Sequence, residues 1–546
     1  MTEITKSITY LNEYKSLKKA VDEGKTPVLT VGLSAIHKAN LAAALGADTA
    51  RPVLVLTDDD NAANRFAADL RGFSEREVVV LPPRELVMAD VAGVSRGYEQ
   101  ARLAALDTLS GACFAVASVQ AAAQRTMPPA LLASSIVTLK AGEEAPLDEL
   151  THRLTDAGYE RCSQVEGMGQ FSVRGGILDI FPPQAEHPYR VEFWDDEIDS
   201  ISTFDVGSQR RLEQCETLRC LPCMEALPSL AKGGAAGLAK AVAALASSRR
   251  KKQHADLQKN LERDAERLRE NGTLPAADKY LPLIYPQMAT AFDYLPENTL
   301  ILIEDTPRLR AAARDFHARI ADDVTALMER GEMPGGMDGY ALDFAGICSI
   351  KRQIVRMDSF LNSIPELAPQ HLENFVANQM NAYGGNLDMA SADIRSYTEQ
   401  GRAVAVVCGS TLRCKNMFDA LTDSGLKVQL SDLLPKGGCV NIMEGTISAG
   451  FEYPDLGLVV MTEGQVLARR KKAKVKRSNR DRVKSFTDLS PGDLVVHEHH
   501  GIGRFIGMER MTVDGSERDF IKIAFAGTDF LYVPATSLDL ISKYIG

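Results

Sequence analysis

No stretch of this chain approaches the roughly 18 uninterrupted apolar residues that a membrane-crossing helix needs. The opening Met1-Thr2-Glu3-Ile4-Thr5-Lys6 also lacks the apolar core of a secretion signal. No membrane partner is expected, and the chain is read as cytoplasmic. Cysteine is scarce and unpatterned: nine residues, odd in number and scattered, suit a reduced compartment better than a disulfide framework. Positive charge is in deficit, with 62 Lys and Arg against 73 Asp and Glu for a net of −11. Affinity for DNA grows with the number of phosphates neutralised. A bulk nucleic-acid coat is therefore excluded, and any DNA contact must come from a local patch. The dense basic run is Arg469-Arg470-Lys471-Lys472-Ala473-Lys474-Val475-Lys476-Arg477, continued by Arg480, Arg482 and Lys484. Like charges this close repel and favour an extended chain, so the run reads first as a solvated linker.

What is present is ordinary globular protein, 45% apolar and 25% charged. At 546 residues the chain is too long for one core, and three to five domains are expected. A second kind of absence lies near the amino terminus. Gly32-Leu33-Ser34-Ala35-Ile36-His37-Lys38-Ala39 follows an apolar strand, Val28–Val31, and precedes a helical stretch from Asn40 to Leu45. A phosphate-binding loop reads G-x-x-x-x-G-K-[ST] in that context. Gly32 and Lys38 keep the spacing. His37 puts a Cβ and a ring where backbone amides must approach phosphate. Ala39 offers no hydroxyl to magnesium.

Short apolar strands at 28–31, 53–57, 78–81 and 114–118 alternate with Ala-rich helical stretches over residues 1–120, the pattern of a parallel sheet. Residues 121–205 change character. Phe171–Phe181 and Tyr189–Asp195 alternate in places, are rich in β-branched and aromatic residues, and are separated by Pro182-Pro183 and His187-Pro188. They read as antiparallel strands of an inserted module. Residues 206–345 return to helix and strand, with a charged helical run from Arg249 to Gly272 expected to face solvent or bridge. Thr299–Ile303 is a buried-type strand ending in Glu304-Asp305, the place of a Walker B carboxylate or of a plain strand cap. Residues 346–465 form a second, smaller α/β unit with strands near 403–408, 426–430, 439–443 and 458–461. After the basic linker, 466–485, residues 486–546 read as a compact β module. Pro491-Gly492-Asp493 marks a turn and Val513-Asp514-Gly515 a hairpin. Small modules of this kind usually bind partners rather than catalyse.

Two clusters invite metal readings and lose them. His497, His499 and His500 fall within four residues, but a strand sends neighbours to opposite faces and nothing nearby completes a tetrahedral set. A glycine-bounded hairpin, eased by Gly501 and Gly503, is the better reading. Cys220-Leu221-Pro222-Cys223, with Cys215 before it, has no second C-x-x-C, so buried thiols are expected. No metal is expected anywhere.

Taken together, these stretches resemble the amino-terminal half of the bacterial transcription-repair coupling factors, the Mfd family, over essentially the whole chain. Residues 1–345 look like the damage-recognition protein UvrB with its ATP site decayed, and Tyr294-Leu295-Pro296-Glu297-Asn298-Thr299 matches UvrB before the Walker B position. Tyr159-Glu160-Arg161 and Arg174-Gly175-Gly176-Ile177-Leu178-Asp179-Ile180-Phe181-Pro182 match the module that binds UvrA in both families. The segment from Val495 through Phe505 to Leu531-Tyr532-Val533-Pro534 looks like the CarD-type, Tudor-like domain that engages the β subunit of RNA polymerase. The resemblance implies a multidomain α/β chain: a degenerate RecA/UvrB-like domain with an inserted α+β module, a second small α/β domain and a carboxy-terminal small β-barrel.

It further implies UvrA contact by Arg161, Arg174 and Phe181, with arginine suited to such a surface by its planar, easily desolvated fork. Polymerase contact would fall to His497, Glu498, His499, His500, Gly501, Ile502, Gly503 and Arg504. Gly32, His37, Lys38, Glu304 and Asp305 would be a vestigial nucleotide site without catalysis. No cofactor is expected for this chain. ATP and magnesium would belong to a two-lobed translocase motor into which relatives continue, and DNA contact mainly to that motor, with the basic run as a second candidate. The sequence ends at Gly546 before any such motor and is read as a fragment of a longer protein. UvrB also carries an aromatic hairpin that clamps DNA, whereas only Tyr98 stands between Pro83 and Gln100 here. Two alternatives stay open: an active UvrB-like helicase subunit, and a CarD-type transcription regulator that uses the basic run on DNA.

Overall fold

The computed structural model describes residues 2–89, 96–247, 255–380, 382–433, 437–467, 492–497, 501–513, 516–524, 530–534 and 541–543. The chain divides into two compact units, Met1–Leu467 and Ala468–Gly546.

The first unit is built on a seven-stranded parallel sheet. Its strands lie in the order His371–Asn374, Val28–Val31, Gln353–Met357, Leu300–Glu304, Val53–Thr57, Phe114–Ser118 and Val78–Leu81. Successive side chains on a strand point to opposite faces, and a parallel sheet covered on both sides buries both sets. Val53, Val55, Phe114, Val116, Leu300 and Leu302 therefore enter one core, and Leu54, Leu56, Ala115, Ala117, Ile301 and Ile303 the other. The sheet reaches beyond residue 345. Gln353–Met357 is a central strand and His371–Asn374 an edge strand with half its residues exposed. The charged run expected to face solvent is a helix over Ala255–Asn271. One face of it is wet, and the other packs Leu257, Leu261, Ala265 and Leu268 into the second of these cores.

Inserted after the fourth strand of the chain is a mainly antiparallel six-stranded sheet. Its order is Arg211–Cys215, Glu197–Phe204, Tyr189–Trp194, Ile177–Ile180, Gln170–Arg174 and Glu160–Arg161. A two-stranded ribbon, Val137–Lys140 with Thr217–Cys220, and a helix, Leu147–Asp156, complete the module. The expected strand over 171–181 is two strands folded at Gly175 (φ 61°) and Gly176. The sheet also continues past residue 205 through Arg211–Cys215.

A further six-stranded sheet has a parallel centre, Leu458–Thr462, Ala403–Cys408, Val440–Glu444 and Val428–Leu430. It is extended antiparallel by Phe451–Tyr453 and Asn378–Gln379. Ala405, Val407, Met443, Phe451, Tyr453 and Val460 join the same core as Val53 and Val55 of the first sheet.

A buried charge cluster sits under the other core. Arg84 forks onto Asp278 at 2.6 and 2.9 Å and reaches Glu225 at 3.0 Å, which also lies 3.1 Å from Arg102 Nε. Glu99 closes the group beside Arg84, and its pKa is raised by desolvation.

The second unit contributes a five-stranded antiparallel sheet in the order Phe530–Pro534, Ser516–Ala524, Gly501–Val513, Leu494–His497 and Ile541–Lys543. Val495, Phe505, Ile521, Ile523 and Val533 form a buried apolar cluster within it. Among the described residues, no helix is long and apolar enough to cross a membrane.

Candidate functional site

The stretch Gly32–Ala39 lies where the first sheet's opening strand meets the helix Ala35–Thr49, which starts earlier and runs further than the expected Asn40–Leu45. Gly32 has φ 84°, the left-handed region that glycine tolerates. A Cβ on Gly32 would stand 2.0 Å from the carbonyl oxygen of Phe375, whose own N–H donates to Val31 at 3.0 Å. The chain leaving the edge strand thus closes over the glycine. His37 is wholly buried. Its Nδ1 lies 2.7 Å from Ser34 Oγ, and its ring meets Phe451 edge-on and Tyr453 obliquely, both at 5.2 Å. Burial pushes its pKa down to about 4, so the ring is neutral at ordinary pH. Ala39 is wholly buried as well.

Lys38 is buried, and desolvation lowers its pKa against the opposing pull of Glu304, Asp305 and Asp358. Desolvation raises the Glu304 carboxyl, with Lys38 opposing and Asp58 adding to the rise. Asp305 is engaged in the fold. It has φ 61°, caps the helix Thr306–Glu329 by accepting from Arg308 N at 3.4 Å, and accepts from Ser359 Oγ at 2.8 Å. The structure therefore brings Lys38, Glu304 and Asp305 together. Against a phosphate-binding loop stand the Phe375 backbone packed on Gly32, a buried imidazole at the position of the second glycine and no hydroxyl at Ala39, a donor set that does not match that loop.

In the inserted module, Arg161 is exposed on the edge strand, which pairs with the strand carrying Arg174. Arg174 has 49% of its side chain exposed and donates to Asp179 at 2.5 Å. Asp179, 1% exposed, also accepts from Arg190 at 2.7 and 2.9 Å, and Arg190 in turn covers the Phe204 ring at 4.6 Å. Phe181 is only 8% exposed, so its ring contributes mostly to the fold's interior. The Asp179 clip and the exposed Trp194 were not foreseen. Trp194 could have been flagged as the one tryptophan of the chain, at a turn before Asp195-Asp196. Cys220 and Cys223 are free and buried beside Tyr159. Burial pushes the Cys220 thiol up to about 12, and Cys223 rises for the same reason. Among the described residues, no group of His, Cys, Asp or Glu is arranged to hold a metal.

In the second unit, His497 ends one strand and pairs with Gly501, while Val496 faces Ile502 and Val495 faces Gly503. Arg504 is exposed and Gly503 buried. Glu498, His499 and His500 lie outside the described residues, as do Arg469–Lys484.

Residues 137–225 match the UvrB interaction domain, and residues 489–545 match the CarD-like/TRCF RID domain. The whole chain aligns with a transcription-repair-coupling factor of Bacillus subtilis at 30% identity over 561 residues, covering 47% of that protein. The counterpart from Staphylococcus aureus strain USA300 is 26% identical over 562 residues, again 100% of this chain and 47% of the relative. The chain spans about half the length of the curated relatives it matches.

Proposed function

We propose that this chain, similar along its whole length to the amino-terminal half of the transcription-repair-coupling factors, works as a two-ended adaptor between stalled RNA polymerase and the repair protein UvrA. The CarD-like unit grips the polymerase, through its β subunit, by the hairpin around His497–Arg504. The inserted module recruits UvrA through the surface bearing Arg161 and Arg174, with Phe181 supporting that surface from beneath. In this reading the chain itself is not an enzyme and takes no cofactor. ATP, magnesium and DNA translocation belong to the remainder of the longer relatives, and the basic run is at most an auxiliary DNA contact.

The observation that carries the adaptor reading over an active UvrB-like subunit is the closure of the nucleotide loop, with the Phe375 backbone over Gly32 and His37 packed on Phe451 and Tyr453.

The test is sequential capture. Polymerase β subunit is immobilised, the chain is bound, and UvrA is then applied. Ile502→Arg should abolish the first step and spare UvrA binding in solution. The pair Arg161→Ala with Arg174→Ala should spare the first step and abolish the second. The same preparations should show no ATP turnover that Lys38→Ala removes. A folded double arginine variant that still captures UvrA, or Lys38-dependent hydrolysis, would overturn the reading.

A further inference from the structure

We propose that the hairpin tip at Trp194 is a second, anionic half of the surface that takes UvrA, and that it stacks its ring on a basic side chain of that partner. The proposal rests on the adaptor reading above.

Trp194 is the one tryptophan of the chain and is 81% exposed. Large aromatics left in water on a rigid element are the residues that most often anchor protein contacts. The tip is rigid. Asp195 turns the chain at φ 58° between the strands Tyr189–Trp194 and Glu197–Phe204. Backbone hydrogen bonds brace it from both sides: Phe193 N to Gly176 O at 2.8 Å, Ala145 N to Asp196 O at 2.8 Å, and Ile198 N to Glu143 O at 3.0 Å. A preorganised tip gives up little conformational freedom on binding.

The surroundings of the tip select its partner. Asp195, Asp196 and Glu197 are exposed beside the ring, and the bracing loop adds exposed Glu143 and Glu144, the latter bridged to Glu197. An exposed indole on a tip whose turn and bracing loop carry five exposed acids fits an arginine or lysine: the ring attracts the cation and the acids complement it. The tip also continues the surface assigned to UvrA. The strand ending at Trp194 runs antiparallel to the one beginning at Ile177, with Ile177 opposite Glu192, so the ring emerges at the same end of the sheet as the Arg174–Gly175–Gly176 turn. The module would then present, at this end of the sheet, a cationic arm at Arg174 and an anionic aromatic arm at Trp194. Such a two-sign pattern fixes orientation as well as affinity.

The lone tryptophan supplies its own probe. The full chain is labelled with 5-fluorotryptophan and titrated with purified UvrA, following one fluorine resonance. In parallel, UvrA affinity is measured for wild type, Trp194→Ala, Trp194→Phe, Asp195→Asn with Asp196→Asn, and Arg161→Ala with Arg174→Ala. The resonance should shift or broaden. Trp194→Ala should weaken binding by about 30-fold, a typical hot-spot loss, with an unchanged melting temperature. Trp194→Phe should retain most of the binding. The double asparagine variant should bind more weakly and with a shallower salt dependence. If wild type binds and the double arginine variant does not, but the resonance stays fixed and Trp194→Ala binds like wild type, the inference fails alone. If wild type itself does not bind UvrA, the adaptor reading fails and takes the inference with it.

Discussion

At the scale of single residues, His37 couples packing to pH. It stands where the phosphate-loop pattern would have its second glycine, and it is a packing residue that touches Phe451 and Tyr453 of another sheet. It is neutral in the fold, with its pKa pushed down to about 4 by burial, whereas an unfolded histidine titrates near 6.5. The unfolded chain thus binds the proton more tightly. The burial is harmless above about pH 6.5, and stability is lost as pH falls from there toward 4. Between pH 7 and pH 5 that single group should cost about 2 kcal/mol. His37→Phe keeps an aromatic ring in the cluster and cannot titrate. Urea unfolding of the two proteins at both pH values should show wild type losing about 2 kcal/mol more than the variant over that interval. Parallel losses would mean that the imidazole can take up a proton in place.

At the scale of elements, the inserted sheet is held by a carboxylate that serves two arginines. Asp179 is 1% exposed, whereas Arg174 keeps 49% of its side chain in water. Removing the exposed partner of such a pair costs little, within about 1 kcal/mol. Removing the buried one strands Arg190 and should cost about 2–4 kcal/mol. Melting curves should therefore separate Asp179→Ala from Arg174→Ala clearly; coincident curves would mean that the carboxylate does not clip the strands. The strands themselves were legible in the sequence wherever apolar runs or proline punctuation marked them, as at Val53–Thr57 and on either side of Pro182-Pro183. Two of those that escaped are edge strands. Arg211–Cys215 is exposed nearly throughout and His371–Asn374 on every second residue, so neither has a buried face to write into its sequence. Asp179 escaped for another reason: in the chain it is one acid in an apolar strand, and its two arginines are named only by the register of the folded sheet.

At the scale of the whole first unit, the smaller α/β sheet is a fixed part of the body that carries the module. Polar contacts of the buried Asp69, Tyr453 and Asn40 cross the seam: Asp69 accepts from Ser448 N at 2.7 Å and Ser448 Oγ at 2.8 Å, and Tyr453 donates to Asn40 at 2.8 Å. Gly72, on the helix Asp60–Phe73, is packed hard against the seam. A Cβ there would lie 2.1 Å from the Thr446 carbonyl oxygen, a backbone atom that no rotamer change can move aside. None of this was readable beforehand, because the residues that meet across the seam are hundreds of positions apart and belong to segments that each look complete. Gly72→Val should therefore act by prying the seam open, at about 1–3 kcal/mol, and should not act within its own helix alone. The strands from Asn378 to Thr462 would lose their packing on Phe73 and His37 while the inserted module, whose core is separate, stays intact. Limited proteolysis should then reveal a new cut near residues 375–380 and leave UvrA capture undiminished. A variant that resists protease as wild type does would mean that the helix yields at the seam and that the two sheets are less tightly coupled than their shared core implies.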